Sequence, residues 1–185
     1  MSIATTPIYQ LKITLNHIEP PIWRQVLVSG EITLAKLHKV IQEAMGWENS
    51  HLHIFIIKDE NYTAPLPGDP YHLVELRAKS SSRVKLNSLK LVEGDSFTYE
   101  YDFGSSWEHT ILIEKILPAD PMQQLPVCVQ GARACPPEDV GGTRRYQELV
   151  EIVGDAEDYI DWMGRSFRPE FFDRDAVNKR LMRIK

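Results

Sequence analysis

Apolar and polar residues alternate from Ile8 to Leu15, with Tyr9, Leu11, Ile13 and Leu15 on one side and Ile8, Gln10 and Lys12 on the other. A period of two predicts a half-buried strand. His17 to Pro21 reads HIEPP, and two prolines do not fit inside a ladder, so the chain turns there. Trp23 to Val28 then reads as a second strand pairing back on the first. From Thr33 to Met45 the period changes: Leu34, Leu37, Ile41 and Ala44 fall at helical spacing. Thr33 is placed to cap that helix and Gly46 to end it in the left-handed conformation. His38 falls on the flank of the apolar stripe, which predicts a partly exposed position.

His51 to Ile57 is rich in apolar and β-branched residues and predicts a third, largely buried strand. Asp59 to Pro70 carries three prolines, a glycine and two aspartates, the composition of a loop. A short strand is expected at Tyr71 to Leu76 and an exposed break at Ser80 to Ser82. Leu86 to Val92 reads as a short helical turn. Phe97 to Tyr101 and Trp107 to Ile116 read as a hairpin around the tight FGSS loop. After Pro118 the prolines at 121, 126, 136 and 137 predict an irregular crossing segment, residues 118–142. Helices follow over residues 143–185. Thr143 caps the first, Asp155 caps a short one ending at Gly164, and the last begins after Arg168-Pro169. Strand, strand, helix and further strands, then helices, is an α+β order. The ββαβ start suits a β-grasp-like sheet, mixed or antiparallel, with one helix across it and a C-terminal helical segment. Residues 1–185 read as one domain, with the sheet part at 7–117.

Composition narrows the function classes. The chain has 185 residues, 43% hydrophobic and 25% charged, which is ordinary for a globular protein with a core of its own. A net charge of -5 argues against a broad electropositive surface for nucleic acid. Arg77, Lys79, Arg83, Lys85 and Lys90 form a basic run with no acid between its ends, best read as a solvated loop and edge strand. Two cysteines, Cys128 and Cys135, are too few for a disulfide framework and too widely spaced for a structural zinc site, so both read as buried thiols. No signal peptide or membrane-length apolar run is evident, which reads as a cytoplasmic protein with reduced thiols and no membrane partner.

The unusual residues gather in PPIWR (Pro20 to Arg24), GWENSHLH (Gly46 to His53), YEYDFGSSWEHT (Tyr99 to Thr110) and CPPEDVGG (Cys135 to Gly142). Three of the four tryptophans and three of the six histidines lie there. If His51 and His53 share a strand, both face the same way. His109 then completes a candidate metal set, with Asp102 or Glu108 adding a carboxylate. The competing reading is histidines bonded to carbonyls or carboxylates within the fold. Glu138 and Asp139, on a rigid turn, could be catalytic or hold a cation, although capping the following helix is the simpler reading. Trp23, Arg24 and Trp107, with Trp47, could line a groove in which Arg24 is an anion fork. Packing at a core rim is the default for such tryptophans.

Taken together these segments resemble the plasmid pRiA-type ORF-three-like family, a likeness running from about Tyr9 to Leu181. The resemblance implies little about activity. The family is essentially uncharacterised, is found on plasmids and chromosomes, and has no catalytic residues to carry over. Its pattern reads YDFGD before the tryptophan and PPEDCGG before the helix, whereas Ser105 and Val140 stand here. If the family holds a metal through three thiolates, Val140 removes one ligand. The missing Asp also thins a carboxylate cluster centred on Asp102.

Two function classes follow. The first is a binding or interaction module, associated with a plasmid or mobile element, with its site near His51, Asp102, Trp107 and His109. Its partner would be a protein or a small molecule, and no cofactor is called for. The second is a metal-dependent hydrolase or nuclease using His51, His53, Asp102 and His109 with a divalent metal, and Glu108 or Glu138 as general base. The absence of any complete catalytic signature favours the first.

Overall fold

A computed structural model of the chain describes residues 6–69, 71–153, 160–162 and 165–184. Strands β1 (Ile8–Leu15) and β2 (Ile22–Ser29) form the expected hairpin, in register from Ile8 opposite Ser29 to Leu15 opposite Ile22. Helix α1 (Leu34–Met45) follows. The Thr33 side chain accepts from the Lys36 N–H, and Gly46 closes the helix at φ 98°, as the sequence predicts. Leu34, Leu37, Ile41 and Ala44 are all buried, and so is His38, only 5% exposed where a flank position was expected. Its surroundings are polar enough to receive it: a tyrosine hydroxyl and an asparagine oxygen lie within hydrogen-bond distance.

Among the described residues eight strands make one mixed sheet, in the order β5 (Ala78–Ser80), β4 (Glu60–Thr63), β3 (His53–Ile57), β6 (Ser96–Tyr101), β7 (Trp107–Leu117), β1, β2, β8 (Val127–Ala132). Strand β3 enters it with β6 and β7 lying between β3 and β1. The anticipated β6–β7 hairpin forms, with Tyr101 opposite Trp107 and Tyr99 opposite His109. Alternation therefore puts Tyr99, Tyr101, Trp107, His109, Ile111 and Ile113 on the same buried face as Leu11, Ile13 and Leu15 of the neighbouring β1. Helix α1 crosses that face. Helix α4 (Arg174–Leu181), capped by the Asp173 carboxylate, packs beside α1 and on β8 (Val127–Ala132).

Several elements differ from expectation, each for a local reason. Asp59 to Pro70 is not all loop. Lys58 and Asp59 both take positive φ, 49° and 63°, and form a two-residue turn into β4 (Glu60–Thr63). Lys-Asp is not a dipeptide that advertises such a turn. Tyr71 to Leu76 is a helical turn, α2 (His72–Glu75), rather than a strand. The Asp69 carboxylate accepts from the Tyr71 and His72 N–H groups and starts it. The break at Ser80 to Ser82 instead contains the end of β5 (Ala78–Ser80), an edge strand parallel to β4, and Ser81 is fully buried.

Of the basic run Lys79 lies on this edge strand, paired with Glu60 at 2.9 Å, while Lys85 lies beyond it, beside Thr33 and paired with Glu31. The crossing segment hides β8, an edge strand on β2 that tolerates Gly131 because the Phe172 ring fills the space a side chain would take. Thr143 lies inside α3 (Gly142–Val153) rather than ahead of it. Of the short helix expected from Asp155 to Gly164, the described part, Ile160–Trp162, is instead strand β9, paired with β10 (Arg165–Phe167), while residues 155–159, 163 and 164 lie outside the described residues. Among the described residues no helix is long and apolar enough to cross a membrane.

Gly142 has φ 91°, and a Cβ there would sit 2.8 Å from the Ser105 carbonyl oxygen, a backbone atom. Gly142→Ala should therefore destabilise the protein by about 2 kcal/mol or more in urea unfolding. Gly94→Ala, at φ 90° with nothing within 4 Å, should cost about 1 kcal/mol. Equal losses would mean that the approach to Ser105 carries no weight.

Candidate functional site

Three of the distinctive segments meet at the end of the β6–β7 hairpin. The indole N–H of Trp47 donates to the Pro136 carbonyl at 3.0 Å. The Tyr101 hydroxyl donates to Glu138 Oε1, while Glu138 Oε2 accepts from the Glu48 N–H at 2.8 Å. The same hydroxyl accepts from the Ser50 N–H at 2.9 Å. Residues 136–139 are thereby fastened to the α1–β3 loop, residues 46–52, and to β6. Burial first, then the Glu138 carboxylate, pushes the Tyr101 phenol well above its ordinary pKa. It remains a proton donor at any physiological pH.

On the rim of this junction lies His51, 31% exposed. Its Nε2 is 3.0 Å from Asp139 Oδ1 and 3.9 Å from Glu138 Oε1, and its Nδ1 is 3.8 Å from Asp102 Oδ1. Asp139 is open to solvent; Asp102 and Glu138 are largely covered. Asp102 and Asp139 both sit at positive φ, 57° and 63°, and Asp102 Oδ1 accepts from the Gly104 N–H of its own turn at 3.1 Å. Leu52 and Phe103 are exposed beside them. The result is an acidic notch with one imidazole, bordered by apolar side chains and backed by Tyr101.

The remaining predicted residues go elsewhere. His51 precedes β3 instead of lying in it, so the same-face argument for His51 and His53 does not apply. His53 is buried in β3, its ring stacked flat on His38 at 3.5 Å. His109 is wholly buried on β7, with Nδ1 3.3 Å from the Tyr99 carbonyl and the ring edge-on to Trp47. The three histidines therefore do not converge. Among the described residues, no group of three or more His, Cys, Asp or Glu side chains is placed to hold a metal ion.

Trp107 is core, 5.8 Å from Trp47 by ring centroids. Glu108 points to the other face of the sheet, opposite Glu100 and 3.5 Å from the exposed His17. Arg24 is not an anion fork. It is 2% exposed, and its guanidinium donates to the carbonyls of Ala44, Trp23 and Ala132 over the Phe172 ring. Ala44 belongs to the last turn of α1, where a cation is favoured. Trp23, opposite Thr14 on the outer face, lies under the Lys12 ammonium. Glu138 and Asp139 reach across to the α1–β3 loop instead of capping α3. Cys128 and Cys135 are free thiols, pushed up by burial, and Val140 is buried in the core.

His38, which the sequence placed on a helix flank, joins this inner group. So does Tyr99, whose hydroxyl lies 2.8 Å from His38 Nδ1 and accepts from the Gln42 amide at 3.0 Å. Only the polar residues at buried helix positions could have signalled it.

Burial is the largest influence on all three inner histidines, and it lowers His38 to about 4, His53 to about 3 and His109 to about 4 from the ordinary 6.5. The neutral ring is the folded form, so the unfolded chain takes up protons first as pH falls below 6.5. Folding stability is then complete above pH 6.5 and declines down to pH 3–4, where the folded rings charge as well. At pH 5 the loss should approach ~2 kcal/mol for each imidazole relative to pH 8. Urea midpoints measured between pH 8 and pH 4 check this, and His109→Leu should flatten the slope. A midpoint that does not move from pH 7 to pH 5 would contradict the assignment.

Comparison with known proteins gives three likenesses. A family model described as plasmid pRiA4b ORF-3-like protein matches residues 7–176. The uncharacterised protein y4hQ of Sinorhizobium fredii is 38% identical over 164 residues, covering 86% of this chain and 82% of that protein. The crystal structure of a protein of unknown function, MM3350 of Methanosarcina mazei, shares 35% identity and superposes with a TM-score of 0.79, over 93% of this chain and 97% of that one.

Proposed function

The chain belongs to the plasmid pRiA4b ORF-3-like family, and on that footing we propose that it is a binding module whose acidic notch receives a cationic group of a partner. One observation carries the reading. Three carboxylates, on Asp102, Glu138 and Asp139, lie within 3.0–3.9 Å of a single accessible imidazole, His51. Acidic groups held in one place by turns and a phenol attract a cation more strongly than the same groups spread over a surface. Exposed Leu52 and Phe103 suit the methylene stem of a lysine or arginine next to an apolar residue. An association with plasmids or mobile elements belongs to the same reading and rests on the family's name. The metal-dependent hydrolase needs His51, His53 and His109 together, and the burial of the latter two away from the notch tells against it.

A capped peptide alternating Arg and Leu tests the proposal by amide-resolved NMR titration. Shifts are expected at His51, Leu52, Asp102, Phe103 and Asp139, fading as salt is raised. Asp102→Asn with Asp139→Asn should weaken binding roughly tenfold, about 1.4 kcal/mol. Equal shifts from a Glu–Leu peptide, or unchanged affinity in the double variant, would sink the reading. Manganese in place of the peptide gives the competing outcome, since line broadening confined to the same residues would point to a metal ligand.

A further inference from the structure

A closed ring of hydrogen bonds joins α1 to the loop that carries the notch. The Asn49 N–H donates to Gln42 Oε1 at 3.1 Å. With its oxygen committed, the Gln42 amide nitrogen donates to the Tyr99 hydroxyl at 3.0 Å. That hydroxyl keeps its own proton to give, and His38 Nδ1 lies 2.8 Å away. His38 Nε2 is 2.7 Å from Asn49 Oδ1, an oxygen that can only accept. Following donors to acceptors round the ring leaves one arrangement: a neutral His38 with its proton on Nε2 and a lone pair on Nδ1. We propose that His38 is a positioning residue, whose Nε2–H tautomer closes this ring and so holds Asn49 and the loop bearing Glu48 and His51.

The inference rests on the notch being the binding site, and it adds a control over that site's shape. Asn49 stands at φ 56°, in the left-handed region that asparagine enters more readily than most side chains. Both of its tethers come from α1, from Gln42 and His38. A doubly protonated His38 would turn an N–H toward the Tyr99 hydroxyl and leave the phenol proton without its acceptor.

Burial and the nearby cation of Lys39 discourage that state, against the Asn49 oxygen, which favours it. His53 on β3 lies flat against it at 3.5 Å and 7°. Tyr99 approaches from β6, Lys39 from its own helix, His72 on α2 acts on His53, and His109 on β7 packs against Tyr99. None of these is a carboxylate that would favour an imidazolium. Burial accordingly lowers the His38 pKa to about 4. At neutral pH His38 is therefore neutral and the ring is closed, whereas a second proton would break the ring at Tyr99 and leave the Nε2–H bond to Asn49 in place.

The test needs no ligand. Long-range imidazole 15N spectra at pH 7 should show His38 as the Nε2–H tautomer. Asn49→Ala, a change at an exposed residue that leaves the core intact, should alter that signature. It should also speed hydrogen exchange of amides 47–52 roughly tenfold, about the worth of one net hydrogen bond, with the interior of α1 unchanged. His38→Leu should behave like Asn49→Ala, whereas His38→Gln keeps one donor and one acceptor and should return the loop to within about threefold of wild type. A wild-type Nδ1–H tautomer, or loop exchange unchanged in Asn49→Ala, overturns the proposal. A protein with the ring intact that binds no cation overturns the binding reading alone.

Discussion

Tyr99 and Tyr101 alternate onto the core face of β6, and a phenol hydroxyl taken out of water must find partners or cost several kcal/mol. Each finds them in a different segment. Tyr99 is met by Gln42 and His38 from α1, which fixes the helix's rotation over the sheet. Tyr101 donates to Glu138 and accepts from the α1–β3 loop, which draws residues 136–139 and residues 46–52 to the same point. The position of the notch follows. Glu138 is pulled inward by the phenol and the Glu48 N–H, Asp139 is left on the rim, and His51 lies between them because the loop reaching Tyr101 passes there.

The same demand explains where sequence patterns were readable and where they were not. β1, β2, α1 and the β6–β7 hairpin are amphipathic at a single period, and the strands' burial follows it over most of their length, departing at Ile8, at Leu27 and beyond Ile113. β4, β5 and β8 are edge or near-edge strands of three to six residues. Their periods are too short to register, and their flanking Asp, Pro and Gly residues read as loop. α2 exists because of one aspartate, Asp69, satisfying two N–H groups, a cause with no periodic trace. Arg24 misled for a different reason. Its charge predicts exposure, yet three carbonyls at the end of α1 and along β2 and β8 hold the guanidinium as a structural cation.

For the candidate site, the sequence located the segments but not the roles within them. That GWENSHLH, YEYDFGSSWEHT and CPPEDVGG gather rare residues was visible, and they do come together. Which histidine faces solvent was not, because it depends on β3 beginning at His53 rather than His51, a shift of two residues. Two residues leave the strand face unchanged on paper; they decide whether an imidazole is a core group or a loop group. The departures at Ser105 and Val140 fall in the two turns that touch, the Ser105 carbonyl facing Gly142 across a gap too narrow for a side chain.

The core behind the notch is unusually polar, and that has a consequence for binding. His53 and His109 each keep a buried Nε2 without a partner among the described residues, where aliphatic side chains would have packed at no such cost. Packed rings exclude water behind Asp102 and Glu138, and both carboxylates are largely covered. Charges backed by such packing act at a lower effective dielectric than charges surrounded by water. In the binding reading, Asp102 and Glu138 would then supply most of the attraction for a cation. Exposed Asp139 and His51 would govern access to it. The neutrality of the inner histidines is a condition of that arrangement, since an imidazolium beside Tyr99 would offset the field that the carboxylates present.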